Sequence, residues 1–535
     1  YFEDTWKATS KLTVNYGLRY EVNSRIHEAT KRTSLPVFTD ANGKPVGYGD
    51  RNAHQELLIN PQPPYDQDWN GWGPRLGLDY ALGRHTVLHA GGAVTTLIPN
   101  LWQDNFLTAA IPYVFAPSIY AQPNEPIAFH NTFVPLNLPT AYDSQGHAIF
   151  ATGRSEDVPA NTVFDYTRFQ NDLNALAPGN VQLLNVTGIA KNFGNGYVGS
   201  WTAGVDHDFG DFKFNASYVA TAGIHLARVY NPNGYGGACQ GFAPFTQFDK
   251  PCHATGGFGP EIIMTNGSHS SYHALQTSLT KNSPKYGLGL QASYTYSKAL
   301  DDTSAVLGGL LGSSGTILQT APQNPWDPSL EKGPSTFDVT HVFAASAIQI
   351  LPFDRVSFLR PLGRTFTRGW QLLNITTLTT GSPFTVFSGV QQTGAGLGGG
   401  DRPDLVSMPQ LSTSRTVRGD YFGMGAAGNR SFFDIPINVP EGTGPNQGRF
   451  GTLGRNTFRG PAYHDFDVAI IKDTPIGHRG NAEMGTVEFR AEFFNIFNIV
   501  NFGLPSNIVN GSGFGIISRT AGTSRQIQFS LKFIY

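Results

Sequence analysis

A two-residue alternation, held for about ten residues at a time and recurring along the chain, though poorly in 84–97 where Val87 and Leu88 are adjacent, limits what this sequence can fold into. In residues 11–21, Leu12, Val14, Tyr16, Leu18 and Tyr20 fall on one face, and Lys11, Thr13, Asn15, Gly17, Arg19 and Glu21 on the other. That is the side-chain period of a β-strand. The pattern returns at 74–82, with Leu76, Leu78, Tyr80 and Leu82 opposite Arg75, Gly77 and Asp79. It returns again at 211–220, 286–297 and 486–493. The final segment sets Ile527, Phe529, Leu531, Phe533 and Tyr535 against Gln526, Gln528, Ser530 and Lys532.

Soluble sandwiches alternate too, so strand length has to decide. Soluble strands average about 5–6 residues. These run to about 10–12, the length that crosses a bilayer at a tilt. No run of about 18 apolar residues predicts a membrane-spanning helix. Val342 to Phe353 comes nearest, but it is short and contains Gln349. Charged residues make up 14% of the chain, against roughly 25% in soluble domains. Gly (62), Phe (38) and Tyr (21) are abundant, as turn-rich all-β architecture requires. A net charge of −2 gives no reason to expect nucleic acid as a partner.

The connections point the same way. About thirteen strands are expected, starting near residues 1, 11, 73, 84, 197, 211, 271, 286, 337, 369, 463, 485 and 525. The links between them alternate short (such as 9–10 and 82–83) and long (24–72, 98–196, 229–268, 303–336, 388–462). Outer-membrane barrels have short periplasmic turns and long external loops. The expected fold is therefore an all-β, antiparallel transmembrane barrel with long extracellular loops, in contact with outer-membrane lipid. Residues 1–535 form one such unit. Single-chain bacterial barrels have an even number of strands. Thirteen strands, and a first residue Tyr1 in place of Met, lead us to expect a carboxyl-terminal fragment.

Several motifs invite a chemical reading. Gly394 to Gly399 fits G-x-G-x-x-G, but Gly400-Asp401-Arg402-Pro403-Asp404 follows it, and a dinucleotide site needs a helix there. We read it as a flexible external loop. Asp465 and Asp467 share a strand face, as do Glu488 and Glu492, with Arg490 between the latter two. Paired carboxylates can do acid–base work; a polar lumen wall accounts for them more simply. Arg19, Glu21, Glu488, Arg490 and Glu492 are assigned to that wall by strand phase. His85 and His89 lie four apart, a spacing that does not converge on a metal in a strand. No catalytic residue, cofactor or metal is expected, and the chain is not read as an enzyme. Cys239 and Cys252 suit one loop disulfide in an oxidising compartment, with two unpaired thiols as the alternative. The loop 98–196 carries Trp102, Phe106, Tyr113 and Phe115 among many prolines. Such rings either capture a bulky ligand or pack on one another to shield the barrel mouth.

Four segments carry a family resemblance: 2–21 (FEDTWKATSKLTVNYGLRYE), 448–473 (GRFGTLGRNTFRGPAYHDFDVAIIKD), 488–506 (EFRAEFFNIFNIVNFGLPS) and 525–535 (RQIQFSLKFIY). They resemble the barrel of TonB-dependent outer-membrane transporters, receptors of the Oar-like branch above all. The resemblance implies a barrel of about 22 strands, plugged by an amino-terminal domain, with about nine of those strands outside this chain. It also implies a TonB complex engaged through an amino-terminal region. The closing Phe533-Ile534-Tyr535 resembles the aromatic signal read by the barrel assembly machinery. Three functions are carried forward: TonB-dependent uptake of a bulky ligand, a passive channel, and a surface-binding or adhesion protein displayed on a barrel.

Overall fold

A computed structural model describes residues 1–25, 28–42, 44, 54–98, 105–108, 111–113, 139–150, 152, 154–176, 186–230, 261–281, 287–304, 322–324, 327–389, 401–412, 419–423, 432–436, 450–479 and 482–535. Thirteen strands pair in chain order into one antiparallel sheet. They are β1 (Phe2–Lys7), β2 (Leu12–Tyr20), β3 (Trp72–Ala81), β4 (Thr86–Leu97), β5 (Gly196–Phe209) and β6 (Phe212–Tyr230). There follow β7 (Glu261–Lys281), β8 (Leu288–Asp301), β9 (His341–Leu351), β10 (Trp370–Thr379), β11 (Tyr463–Arg479), β12 (Ala482–Phe494) and β13 (Gln526–Ile534). Among the described residues β1 pairs only with β2 and β13 only with β12, so the sheet is open rather than closed.

The register preserves the alternation read from the sequence. Val14, Tyr16 and Leu18 sit opposite Leu78, Leu76 and Pro74, while Asn15 and Gly17 sit opposite Gly77 and Arg75. On β12 and β13, Phe489 and Ala491 face Leu531 and Phe529, while Arg490 faces Ser530. The apolar face is left uncovered: Leu76 is 52% exposed and Leu531 74%. A soluble protein would bury such a surface, whereas a barrel turns it to lipid.

Strands β6 and β7 have 19 and 21 residues, far longer than the sequence pattern suggested. Their far ends, still paired with each other, run beyond the neighbouring strands into a loop core. Val229 of β6 and Met264 of β7 are fully buried there against Leu35, Tyr65, Leu107, Ile189 and Phe193. Segment Val186–Ile189 runs parallel to the start of β7. A small sheet of Ser34–Thr39, His54–Ile59 and Thr162–Phe164 packs beside it.

The stretch 98–196, read above as a loop, thus holds short strands and the helix Tyr166–Leu176. Asp165 caps that helix by accepting from the backbone N–H of Arg168 at 3.0 Å. Tyr166, Phe169 and Leu173, on one helical face, are buried with Leu57, Ile59 and Phe164.

A second loop core stands over β10 to β13. Phe384, Phe422, Phe433, Phe458 and Phe514 interlock in it, with Phe422 and Phe514 stacked at 4.9 Å. Fully buried phenylalanines of this kind each remove some 150–250 Å² from water, enough to hold loops as a unit. Between β9 and β10 the link folds into short helical turns, Phe353–Arg355, Ser357–Leu362 and Arg364–Thr367.

Candidate functional site

The polar face of β1 to β6 is a hydrogen-bonded lattice. Thr5 donates to Asn15 (2.8 Å), and Asn15 to Asp79 (3.3 Å). His89 meets Asp206 and Ser217, each at 3.1 Å, and Asn215 donates to Asp206 at 2.9 Å. Glycine makes these contacts geometrically available. Gly204 lies between His89 and Ser217, and a Cβ there would fall 2.5 Å from His89 Nε2 and 2.4 Å from Ser217 Oγ. Gly17 likewise leaves room for Arg75, whose guanidinium lies 3.6 Å from Glu3 across the rung. His89 is thus engaged with a carboxylate and a hydroxyl. His85 contributes its backbone carbonyl to Asp208. Among the described residues no group of three His, Cys, Asp or Glu side chains could hold a metal.

On β12 the structure brings together the three residues expected there. Arg490 pairs with Glu488 at 3.1 Å and with Glu492 at 3.0 Å, on the face that carries Lys532, Ser530 and Gln528 of β13. Asp465 and Asp467 of β11 lie on the same face. Arg19 and Glu21 form an ion pair at the end of β2, far along the sheet from Arg490. Each arginine is ion-paired with the carboxylates beside it, an arrangement suited to a hydrated wall.

A second polar assembly was not anticipated from the sequence. Where the loops between β8 and β9 meet those between β10 and β11, three arginines are anchored on acids. Arg402 holds Glu331 with both prongs, at 2.7 and 3.0 Å, and donates to the Leu453 carbonyl at 2.7 Å. Arg455 pairs with Asp301 and donates to the Glu331 carbonyl (2.8 Å) and to Ser304 (2.8 Å). Arg459 pairs with Asp338, which also accepts from the Ala299 N–H at 2.6 Å. All three acids are buried. Buried ions of this kind persist only when paired and fully hydrogen-bonded. Asp401-Arg402-Pro403-Asp404, which follow the glycine run, are held in place by the Arg402 ion pair. Gly394 to Gly399 lie outside the described residues.

The aromatic loop residues divide. Tyr113 packs against the core of Leu57, Ile59 and Phe164, touches Phe150 edge-on at 5.5 Å, and donates to the Lys31 carbonyl at 3.1 Å. Burial, with the Glu28 carboxylate nearby, pushes its hydroxyl pKa up. Phe106 lies in the short helix Asn105–Thr108. Trp102, Phe115, Cys239 and Cys252 lie outside the described residues. Phe533 is exposed on the apolar row of β13, and Tyr535 beyond it is 99% exposed, their rings 6.3 Å apart.

An antiparallel sheet of this extent, with one uncovered apolar face, one hydrogen-bonded polar face and loops folded over one end, defines a β-barrel protein of the bacterial outer membrane. The chain belongs to the outer membrane beta barrel domain family, whose model matches residues 1–528. No curated protein matches the sequence. Among solved structures it is similar to the outer membrane transporter YddB from Escherichia coli (8% identity, TM-score 0.39, 98% of this chain and 52% of that one). It is similar also to the ferric yersiniabactin uptake receptor FyuA from Yersinia pestis (8%, TM-score 0.37, 99% and 44%) and the siderophore receptor PirA from Acinetobacter baumannii (9%, TM-score 0.39, 100% and 53%). The chain thus spans about half the length of these proteins. The family assignment rests on the domain match and not on these likenesses.

Proposed function

We propose that this chain is the carboxyl-terminal part of the barrel of a TonB-dependent outer-membrane transporter, which takes up a bulky ligand at the expense of inner-membrane energy. One observation carries the reading: among the described residues thirteen strands leave the sheet open. Its closed form then needs further strands, and barrels of roughly 16–18 strands already enclose a water-filled channel, while those of about 22 require a plug. A pore that wide and unplugged would leak, so gated, energised passage suits the size. The polar face with Arg19, Glu21, Glu488, Arg490 and Glu492 forms the lumen wall, and the loop cores form the external mouth. Plug and TonB contact belong to the amino-terminal region of the whole protein, and Phe533 and Tyr535 are offered to the assembly machinery.

The test is conductance of the full-length protein in a planar bilayer, followed by uptake in cells with and without an uncoupler of the proton gradient. The reading expects a closed pore and uptake that stops when the gradient collapses. Steady conductance with gradient-independent passage would instead establish a passive channel.

A further inference from the structure

On three adjacent strands the outward row carries a basic side chain at one level, with Leu300 the next outward residue beyond Lys298 on β8. On β7 the row Leu279, Thr277, Leu275 continues to His273; on β8 the row Ala292, Tyr294, Tyr296 continues to Lys298; on β9 Phe343 is followed by His341. His273 sits directly opposite Lys298, and His341 directly opposite Tyr296 one step below. Directly opposed side chains start about 4.5–5.5 Å apart, and diagonal ones about 7–8 Å. All three basic groups are therefore within reach of one small ligand. All three are exposed.

The two histidines are held in the same way. The hydroxyl of Tyr218 lies 2.7 Å from His273 Nδ1, and that of Tyr294 lies 2.8 Å from His341 Nδ1. Each pair is stacked, at 24° and 26° between ring planes. Each contact engages Nδ1 and leaves Nε2, the other ring nitrogen, for a ligand. Lys298 adds a full charge and has no ion-pair partner among the described residues. The acids that follow along the chain are taken: Asp301, at the end of β8, pairs with Arg455, and Asp302 just beyond it accepts from the Ser268 hydroxyl and the His269 N–H. Trp201 and Tyr296, 41% and 52% exposed, flank the cluster with amphipathic rings of the kind that settle at a membrane boundary.

We infer that His273, Lys298 and His341 form a binding site for a phosphate-bearing lipid headgroup of the outer leaflet, with Tyr218 and Tyr294 as positioning residues. Charge complementarity selects an anion, since the cluster offers donors and one uncompensated cation. Its position selects a lipid: the site opens on the apolar face, so a bound headgroup keeps its chains against Leu275, Leu279 and Tyr294.

The test uses the full-length protein extracted from outer membranes in mild detergent, as wild type, Lys298→Gln and the double variant His273→Gln/His341→Gln. Retained lipid is weighed by native mass spectrometry. Delipidated protein is then offered a phosphorylated lipid, the same lipid after dephosphorylation, or inorganic phosphate alone. The wild type should retain the phosphorylated lipid. Lys298→Gln should reduce retention about tenfold, as expected for loss of one charge-assisted contact, with the heat-dependent gel shift of the folded barrel unchanged. Equal retention by wild type and variants, or equal binding of the dephosphorylated lipid, would overturn the proposal. Full displacement by inorganic phosphate would overturn the assignment to lipid.

Discussion

Arg402 and Glu331, 71 residues apart in the chain, meet in a two-pronged ion pair with both side chains no more than 5% exposed. Glu331 also accepts from the Gln323 N–H at 2.9 Å, and its carbonyl from Arg455. One acid thus ties three loop segments together. Breaking a buried pair on one side costs about 3–5 kcal/mol, because the other charge is stranded. Arg402→Met and Glu331→Gln should each loosen the cap by about that amount. The double variant Arg402→Met/Glu331→Leu should cost less than either. Hydrogen exchange at 450–460 reads the effect, and the exchange of β11 should stay unchanged.

Two glycines of the polar face make opposite predictions. A Cβ on Gly204 would strike His89, Ser217 and the Ala216 carbonyl at 2.4 to 2.7 Å, whereas one on Gly77 meets nothing nearer than Asn15 at 3.5 Å. Gly204→Ala should destabilise the sheet by about 1–3 kcal/mol through overpacking. Gly77→Ala should be close to neutral. Urea unfolding in detergent, followed by tryptophan fluorescence, separates the two.

Tyr421 gives the second loop core a pH dependence. Burial pushes its hydroxyl pKa up to about 12, and the hydroxyl donates to the Arg459 carbonyl at 2.6 Å. A pKa raised on folding means the neutral form is favoured in the folded state. Its stabilisation is whole below the ordinary tyrosine pKa near 10 and is lost as pH rises from there through 12. The core of Phe384, Phe422 and Phe514 should loosen over that window. Tyr421→Phe should lose about 1 kcal/mol at neutral pH and show a flatter profile above pH 10, measured by protease cleavage at graded pH.

Cys239 and Cys252 are proposed to form a disulfide in the loop between β6 and β7. In the folded protein neither should react with a thiol reagent until a reductant is added. Labelling of both without reduction would remove the bridge.

What could be read in advance follows from the range of each interaction. The strands were legible because a lipid-facing wall imposes its period residue by residue. Strand β4 was the hardest to read, since Val87 and Leu88 are adjacent and interrupt the alternation; its register comes from pairing with β3 and β5. The helix Tyr166–Leu176 carried a readable signal in Asp165 and in the spacing of Tyr166, Phe169 and Leu173, hidden among aromatics that suggested a loop. The triad of Glu488, Arg490 and Glu492 was visible because all three lie within one strand. The arginine hub was not: Arg455 and Asp301 are 154 residues apart, and nothing local says which loops fold together. Arg455 and Arg459 do lie in segment 448–473, one of the four that carry the family resemblance, which was the available clue.

The central claim is that the alternating faces meet lipid on one side and water on the other. Single cysteines at Gln528, Phe529, Ser530 and Leu531, placed in the full-length protein in its membrane with the native cysteines replaced, can carry nitroxide labels. Relaxation by oxygen, which concentrates in lipid, is then compared with relaxation by a water-soluble nickel chelate. Labels at Phe529 and Leu531 should respond to oxygen, and those at Gln528 and Ser530 to the chelate. Four labels with the same response, or the opposite alternation, would contradict the account.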